Sequence, residues 1–257
     1  MTRWTAFPYE GTAYAYSPAA LVQHWARLHA GDAVPLPEST QVLAAWALFH
    51  AGEFHKAFDA GMQAGGAGIT VANKAQAIHA NYLEKSAKTK LAMLAQVVER
   101  AEAQAAAEPK NANAHYWVAY SLRRYSQGIS LVTALSQGLG HRVRQALETT
   151  LELEPTHADA HVALGCFHAE AVDRLGKRLG RAQGADTATG LKMFNQALRL
   201  NPASAIAMVE YANGLVMLEG HKRLPGAEKL YASAAACQPM DAMERLDVEM
   251  AKAELED

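Results

Sequence analysis

The chain has 257 residues, 50% of them apolar against 19% charged and 7% aromatic, which is enough apolar material for one substantial core or two small ones. Lys and Arg (24) nearly balance Asp and Glu (26), and a formal net charge of -2 argues against a dedicated nucleic-acid binder. No apolar run approaches the roughly 18 residues of a membrane span, MTRWTAFPYEG lacks the pattern of a secretory leader, and Cys166 and Cys237 are too few for a disulfide framework, so a cytoplasmic location is expected.

Apolar residues recur at i, i+3, i+4 and i+7 through Ala-rich segments, with Val, Ile and Thr thinly spread, which predicts an all-α chain. Ser17 and Pro18 suit the cap and first position of a helix running to about His29, with Leu21, Trp25 and Leu28 on one face. The linker GDAVPLPEST follows, so residues 1–36 are expected to form an N-terminal segment and capping helix, and 37–257 a helical solenoid. Within TQVLAAWALFHAGEFHKAFDAGMQAG, the residues Gly52, Phe54, Ala57 and Ala64 mark a first helix pair. Residues 71–109 form another pair whose register the pattern leaves open. At the other end, MDAMERLDVEMAKAELED carries Met243, Leu246, Met250 and Ala253 on one stripe, as a terminal capping helix should.

Between these ends the chain repeats. Pro109, Pro155, Pro202 and Pro239 each close a helical segment. Units opening at Ala114, Ala158 and Ala205 place Trp117, His161 with Leu164 and Gly165, and Met208 in their first helices; Leu147, Phe194 with Ala197, and Ala227 with Tyr231 and Ala234 follow in their second. These positions resemble the tetratricopeptide repeat, which implies about five stacked helix pairs between caps. From first residue to closing proline the three units span 41, 44 and 34 steps, against about 31 in an unmodified repeat. The surplus lies between paired helices. One insertion, within 126–141, carries Ile129, Leu131, Val132 and Leu135; the other, 172–189, is polar, Gly-rich and expected to be mobile.

In such repeats the first helix of each pair lines the concave side. That places Trp46 and Phe49, then Val118, Leu122 and Tyr125, then Val162 and Cys166, then Val209, Glu210 and Asn213 at a largely apolar groove. Repeats that grip peptide C-termini carry a Lys and Asn clamp, of which only Lys74 and Asn81 could supply a piece here. The expected ligand is therefore an apolar protein or peptide segment, or alternatively a small hydrophobic molecule in a groove closed by residues 126–141. Arg142, Arg174, Lys177, Arg178 and Arg181 gather near the insertions and could form an edge for an acidic partner. His157 and His161 are four apart but lack a third metal ligand, and no nucleophile-base motif or phosphate loop occurs. Neither metal, cofactor, nucleic acid nor catalysis is expected.

AHYWVAYSL at 114–122, Gly138-Leu-Gly140, LELEP, ADAHVALG, ALRLNP and the closing LDVEMAKAELE give residues 111–257 a narrower likeness. This region resembles the regulators of microtubule dynamics and the tetratricopeptide T components of TRAP transporters. The resemblance implies a helical-repeat protein that binds a partner or hydrophobic ligand through a central groove.

Overall fold

The computed structural model describes residues 4–256, and every regular element among them is helical. In chain order these are α1 (Pro18–Leu28), α2 (Thr40–His50), α3 (Phe54–Ala64), α4 (Gly68–Tyr82), α5 (Ala87–Ala107), α6 (Ala112–Gln127), α7 (Leu131–Ser136), α8 (Leu139–Leu153), α9 (Ala158–Ala182), α10 (Thr187–Leu200), α11 (Ala205–Glu219), α12 (Leu224–Ala235) and α13 (Ala242–Glu256). Short 3-10 turns cover Gly11–Tyr14 and His221–Arg223. The chain divides into two compact units. One holds residues up to His29, Val34–Thr149 and Met240–Met243; the other holds Ala30–Ala33, Thr150–Pro239 and the chain from Glu244 onward. The boundary expected after residue 36 falls inside the first unit.

Helices begin where a side chain can satisfy the otherwise orphaned N–H groups of the first turn. Ser17 accepts from the Ala20 N–H at 3.2 Å at the head of α1. Ser39, Asn111 and Ser204 do the same for α2, α6 and α11. At α9 the cap is the buried His157, whose Nδ1 accepts from the Ala160 N–H at 3.1 Å.

In the first unit α2 packs on α3, α3 on α4, α4 on α5 and α5 on α6, while the first helices α2, α4 and α6 are also neighbours. The α3–α4 contact is backbone against backbone: a Cβ on Gly61 would meet the Gly68 carbonyl oxygen at 2.5 Å. α4 is enclosed on all sides, with every residue from Thr70 to Ala80 buried. Its polar side chains consequently alternate with alanines inside the core. Residues 240–243 join this unit because Asp241 Oδ2 lies 2.8 Å from Nδ1 of the fully buried His50, and Tyr16 donates to the Met240 carbonyl at 2.7 Å.

The second unit shows why the repeat needs its glycines. Phe194 on α10 is buried, stacked on Tyr211 at 5.1 Å and 13°, and its ring lies directly over the Cα positions of Gly165 on α9 and Gly214 on α11. One aromatic ring thereby joins three helices at a spacing that only hydrogen side chains permit. Val209 and Ala205 of α11, Ala234 of α12, and Val248 and Ala251 of α13 form a core cluster covered by Met208, Tyr231 and Met250. The capping stripe on α13 differs from the expected one. Leu246, Val248 and Ala251 are buried, whereas Ala253 is exposed.

Both insertions are helical. α7 is a short helix capped by Ser130, with Leu131, Val132 and Leu135 turned to solvent, Val132 at 77% exposure. The second insertion, polar and Gly-rich, lengthens α9 to Ala182. Arg174, Leu175, Lys177, Arg178, Leu179 and Arg181 are all good helix formers, and the segment breaks only at Gly176, which adopts φ 74°, ψ 160°. α9 then closes in a Schellman turn, with Ala185 N–H donating to Gly180 O, Gly184 N–H to Arg181 O, and Gly184 at φ 80°.

The packing of Phe194 yields a test. Alanine is favoured over glycine inside a helix by about 1 kcal/mol, but overpacking costs about 1–3 kcal/mol, so Gly165→Ala and Gly214→Ala should both lower stability in urea denaturation. A gain in stability at either position would show that Phe194 moves aside freely.

Candidate functional site

The expected groove residues occupy first helices, but most of them are core. Trp46 and Phe49 on α2 are 1% and 0% exposed. Trp46 stands edge-on to Trp25, and the buried Lys74 of α4 places its Nζ 5.5 Å from the Trp46 ring and 5.0 Å from that of Phe49. Val118 and Leu122 on α6 are buried as well, while Tyr125 is half-buried and rests on the Ala80, Met93 and Leu94 cluster beside Trp4. In the second unit Val162 and Cys166 on α9 are buried, and Cys166 Sγ donates to Glu210 Oε2 at 3.1 Å. Val209 belongs to the cluster formed with α12 and α13. Asn213 is exposed, and its Oδ1 accepts from Tyr231 at 2.6 Å. Of the ten side chains, Tyr125, Glu210 and Asn213 are the ones with surface a partner could touch.

The basic residues are at the surface. Arg142 donates to Glu102 Oε1 at 2.6 Å, whereas Arg174, Lys177, Arg178 and Arg181 lie exposed along the C-terminal part of α9, around Leu179. Leu179 itself is 61% exposed. His157 serves as the cap of α9, and His161 donates from Nε2 to the Pro155 carbonyl at 3.0 Å.

A polar system that sequence reasoning missed joins α4 to α5. Arg100 donates from Nε to Asn73 Oδ1 and from Nη2 to Gln76 Oε1, both at 2.7 Å. Gln76 Nε2 bonds to Gln96 Oε1 at 2.8 Å, Asn73 Nδ2 to Gln104 Oε1 at 3.2 Å, and Gln104 Nε2 to Thr70 Oγ1 at 2.9 Å. The Arg100 guanidinium also sits 5.1 Å from the Phe58 ring centroid, and burial lowers its pKa to about 10. The available signal was the spacing of Asn73 with Gln76 and of Arg100 with Gln104, polar pairs three and four apart within Ala-rich helices.

The N-terminal segment adds a second unforeseen feature. Trp4 stacks on His55 of α3 at 5.0 Å and 16°, and approaches Phe58 at 5.4 Å and the buried His79 of α4 at 4.5 Å. Beside it opens a cavity of about 380 Å³ between α3 and α5. Burial holds the His79 imidazole below its ordinary 6.5, with nearby Glu84 opposing the shift, and burial does the same at His161.

Comparison with known proteins agrees with this architecture. Residues 70–175, from α4 into α9, match the family model for regulator of microtubule dynamics protein 1-3. That match overlaps the expected stretch over residues 111–175. Among solved structures, a thermophilic TPR protein of Thermus thermophilus superposes with a TM-score of 0.59 at 16% identity, covering 84% of this chain and 100% of its own. No functionally curated protein matches the sequence. The fold is that of a tetratricopeptide-like repeat protein.

Two measurements probe the buried polar groups. Replacing Arg100 by Met strands the oxygens of Asn73 and Gln76, and a loss of about 1–3 kcal/mol is expected in denaturant titration; an unchanged midpoint would mean that water replaces the guanidinium. For His79 and His161 the sign follows from their depressed pKa values. The unfolded chain takes up protons as pH falls below 6.5 while the native imidazoles stay neutral, so stability is undiminished above 6.5 and declines until the native groups also protonate. Stability measured at about pH 5 should therefore fall relative to about pH 7.5, and the fall should shrink in a His79→Asn/His161→Asn double variant. An identical fall in the variant would assign it to other groups.

Proposed function

We propose that this tetratricopeptide-like chain is a non-enzymatic binding module whose first helices present a largely apolar concave face to a protein or peptide segment. The observation that supports this reading is that the first helices α2, α4 and α6 are neighbours in one unit, as α9 and α11 are in the other. Trp46, Phe49, Val118 and Leu122, and in the second unit Val162 and Cys166, are buried and would serve as a rigid floor, whereas Val209 packs towards α12 and α13. In the first unit Tyr125 is the accessible group that would orient a bound segment, and in the second unit Glu210 and Asn213 are. A rigid floor lowers the entropic cost of binding, because few rotamers remain to be frozen when the partner arrives. Arg174, Lys177, Arg178 and Arg181 supply a separate cationic edge for acidic residues of a partner.

A second reading is a carrier for a small hydrophobic molecule. The outward apolar face of α7, formed by Leu131, Val132 and Leu135, favours it, since solvent exposure of three such side chains on a six-residue helix suits a segment that can close over apolar cargo. No helix among the described residues is long and apolar enough to cross a membrane, so the exposed apolar surface is not part of a spanning segment.

Because Trp46 and Leu122 are buried, charged substitutions there would damage the fold before they reported on binding. Tyr125→Glu and Asn213→Lys are the informative variants. Native mass spectrometry of protein purified from its own host should show a bound polypeptide that these variants release while helical content by circular dichroism is kept. An adduct of small mass lost on denaturation would transfer the assignment to the carrier reading. Bare monomer in every preparation would overturn a tight-binding role of either kind.

A further inference from the structure

The cavity beside Trp4 lies between the second helices α3 and α5, with Gln76 of α4 in its lining, and that lining has a consistent chemistry. Its aromatic wall is formed by Trp4, His55 and Phe58, with ring centroids of Trp4 at 5.0 Å from His55 and 5.4 Å from Phe58. Met93 and Ala92 of α5 add apolar surface, and the ionised groups around the rim are both carboxylates, Asp59 and Glu84. Gln76, Gln96 and Thr89 complete the lining, and neither lysine nor arginine takes part in it.

The carboxylates are only lightly engaged. Asp59 is 66% exposed at its side chain and lies 3.8 Å from His55 Nε2, and Glu84 accepts from the Ser86 N–H at 2.7 Å through one oxygen. From beneath, Arg100 bonds to Gln76 and lies over Phe58, so the protein already sets one guanidinium against two of the lining residues. The ionised residues in the lining itself are thus the two carboxylates, with Arg100 the guanidinium in contact with it. Aromatic faces and edges backed by carboxylates form a recurring arrangement for organic ammonium and guanidinium groups: the ring quadrupole attracts the charge without the desolvation cost of a fully buried ion pair, and the carboxylates take the N–H donors.

We propose that this cavity is a binding site for an organic cation, a guanidinium or primary ammonium group on a short aliphatic stem. The stem lies against Met93 and Ala92, the charged head lies beside Trp4, and Asp59 and Glu84 accept its hydrogen bonds. The volume of about 380 Å³ accommodates a group of arginine size with water to spare. The same head group could be a side chain of a peptide or a free amine.

Tryptophan fluorescence tests this directly, because Trp25, Trp46 and Trp117 are 6%, 1% and 1% exposed and Trp4 is the partly accessible one. Titration with agmatine should give a saturable change, and a urea analogue of the same length, which lacks the positive head, should not. Asp59→Asn combined with Glu84→Gln should weaken agmatine by about tenfold, and raised salt should weaken it in the parent. Asp59→Asn alone, at an exposed position, is the fallback should the pair disturb folding, with a loss of about threefold expected. Tighter binding of a short arginine peptide than of agmatine would assign the site to a polypeptide partner, and the reverse order to a free amine; either order supports the proposal. Absence of a saturable response to both cations, an equal response to the urea analogue, or agmatine binding unaffected by the carboxylate variants would each overturn it.

Discussion

A helix enclosed on every side cannot send its polar side chains to water, so each must find its partner within the protein or be paid for in stability. α4 is that helix. Asn73, Lys74 and Gln76 are all buried on it, and the elements around it are arranged to meet them. Arg100 reaches in from α5 to bond Asn73 and Gln76 together, Gln104 joins Asn73 to Thr70, and Trp46 and Phe49 of α2 offer their ring faces to the Lys74 ammonium. The close approach of α3 through Gly61 and Gly68 lets the helix sit that deep. The first unit is organised around satisfying α4, as much as around burying its alanines.

The second unit relies on a different device. There the helices are held by one large ring set against two glycines, Phe194 over Gly165 and Gly214, with Tyr211 stacked alongside. Close-packed interiors penalise added or missing volume at such a point, which specifies the helix spacing more sharply than a broad apolar interface would. A polar lattice in one unit and a steric lock in the other both hold tetratricopeptide-like helix pairs together.

Function in this fold depends on which surfaces the packing leaves accessible. Buried Trp46, Phe49, Leu122 and Val209 are rigid support, while Tyr125, Glu210, Asn213 and the cations of α9 reach the surface. The N-terminal segment contributes more than an end cap: Trp4 packs onto the α4–α5 cluster and at the same time forms one wall of the acidic-rimmed cavity.

The helical character, the Ser17 cap and the repeat were legible in the sequence because they rest on local rules. Ser17 and Pro18, the prolines closing each unit, and the alignment of Gly165 with Phe194 and Ala197 carry their signal within a turn or one repeat. The register of α4 was not legible, since a helix buried all round has no apolar stripe to reveal its inner face. The Gly-rich run after Val172 could be read as a lengthened helix or as a mobile insertion because its glycines stand among residues of good helix propensity, and only the observed dihedrals locate the break at Gly176. Groove positions were assigned by repeat register, which specifies the helix and its side but says nothing of what covers them. Trp4, His55, Phe58, Asp59 and Glu84 come from segments separated in sequence, so their meeting is a property of tertiary packing. Local propensity and periodicity determined the helices; long-range burial decided which of their side chains became core and which remained accessible to a partner.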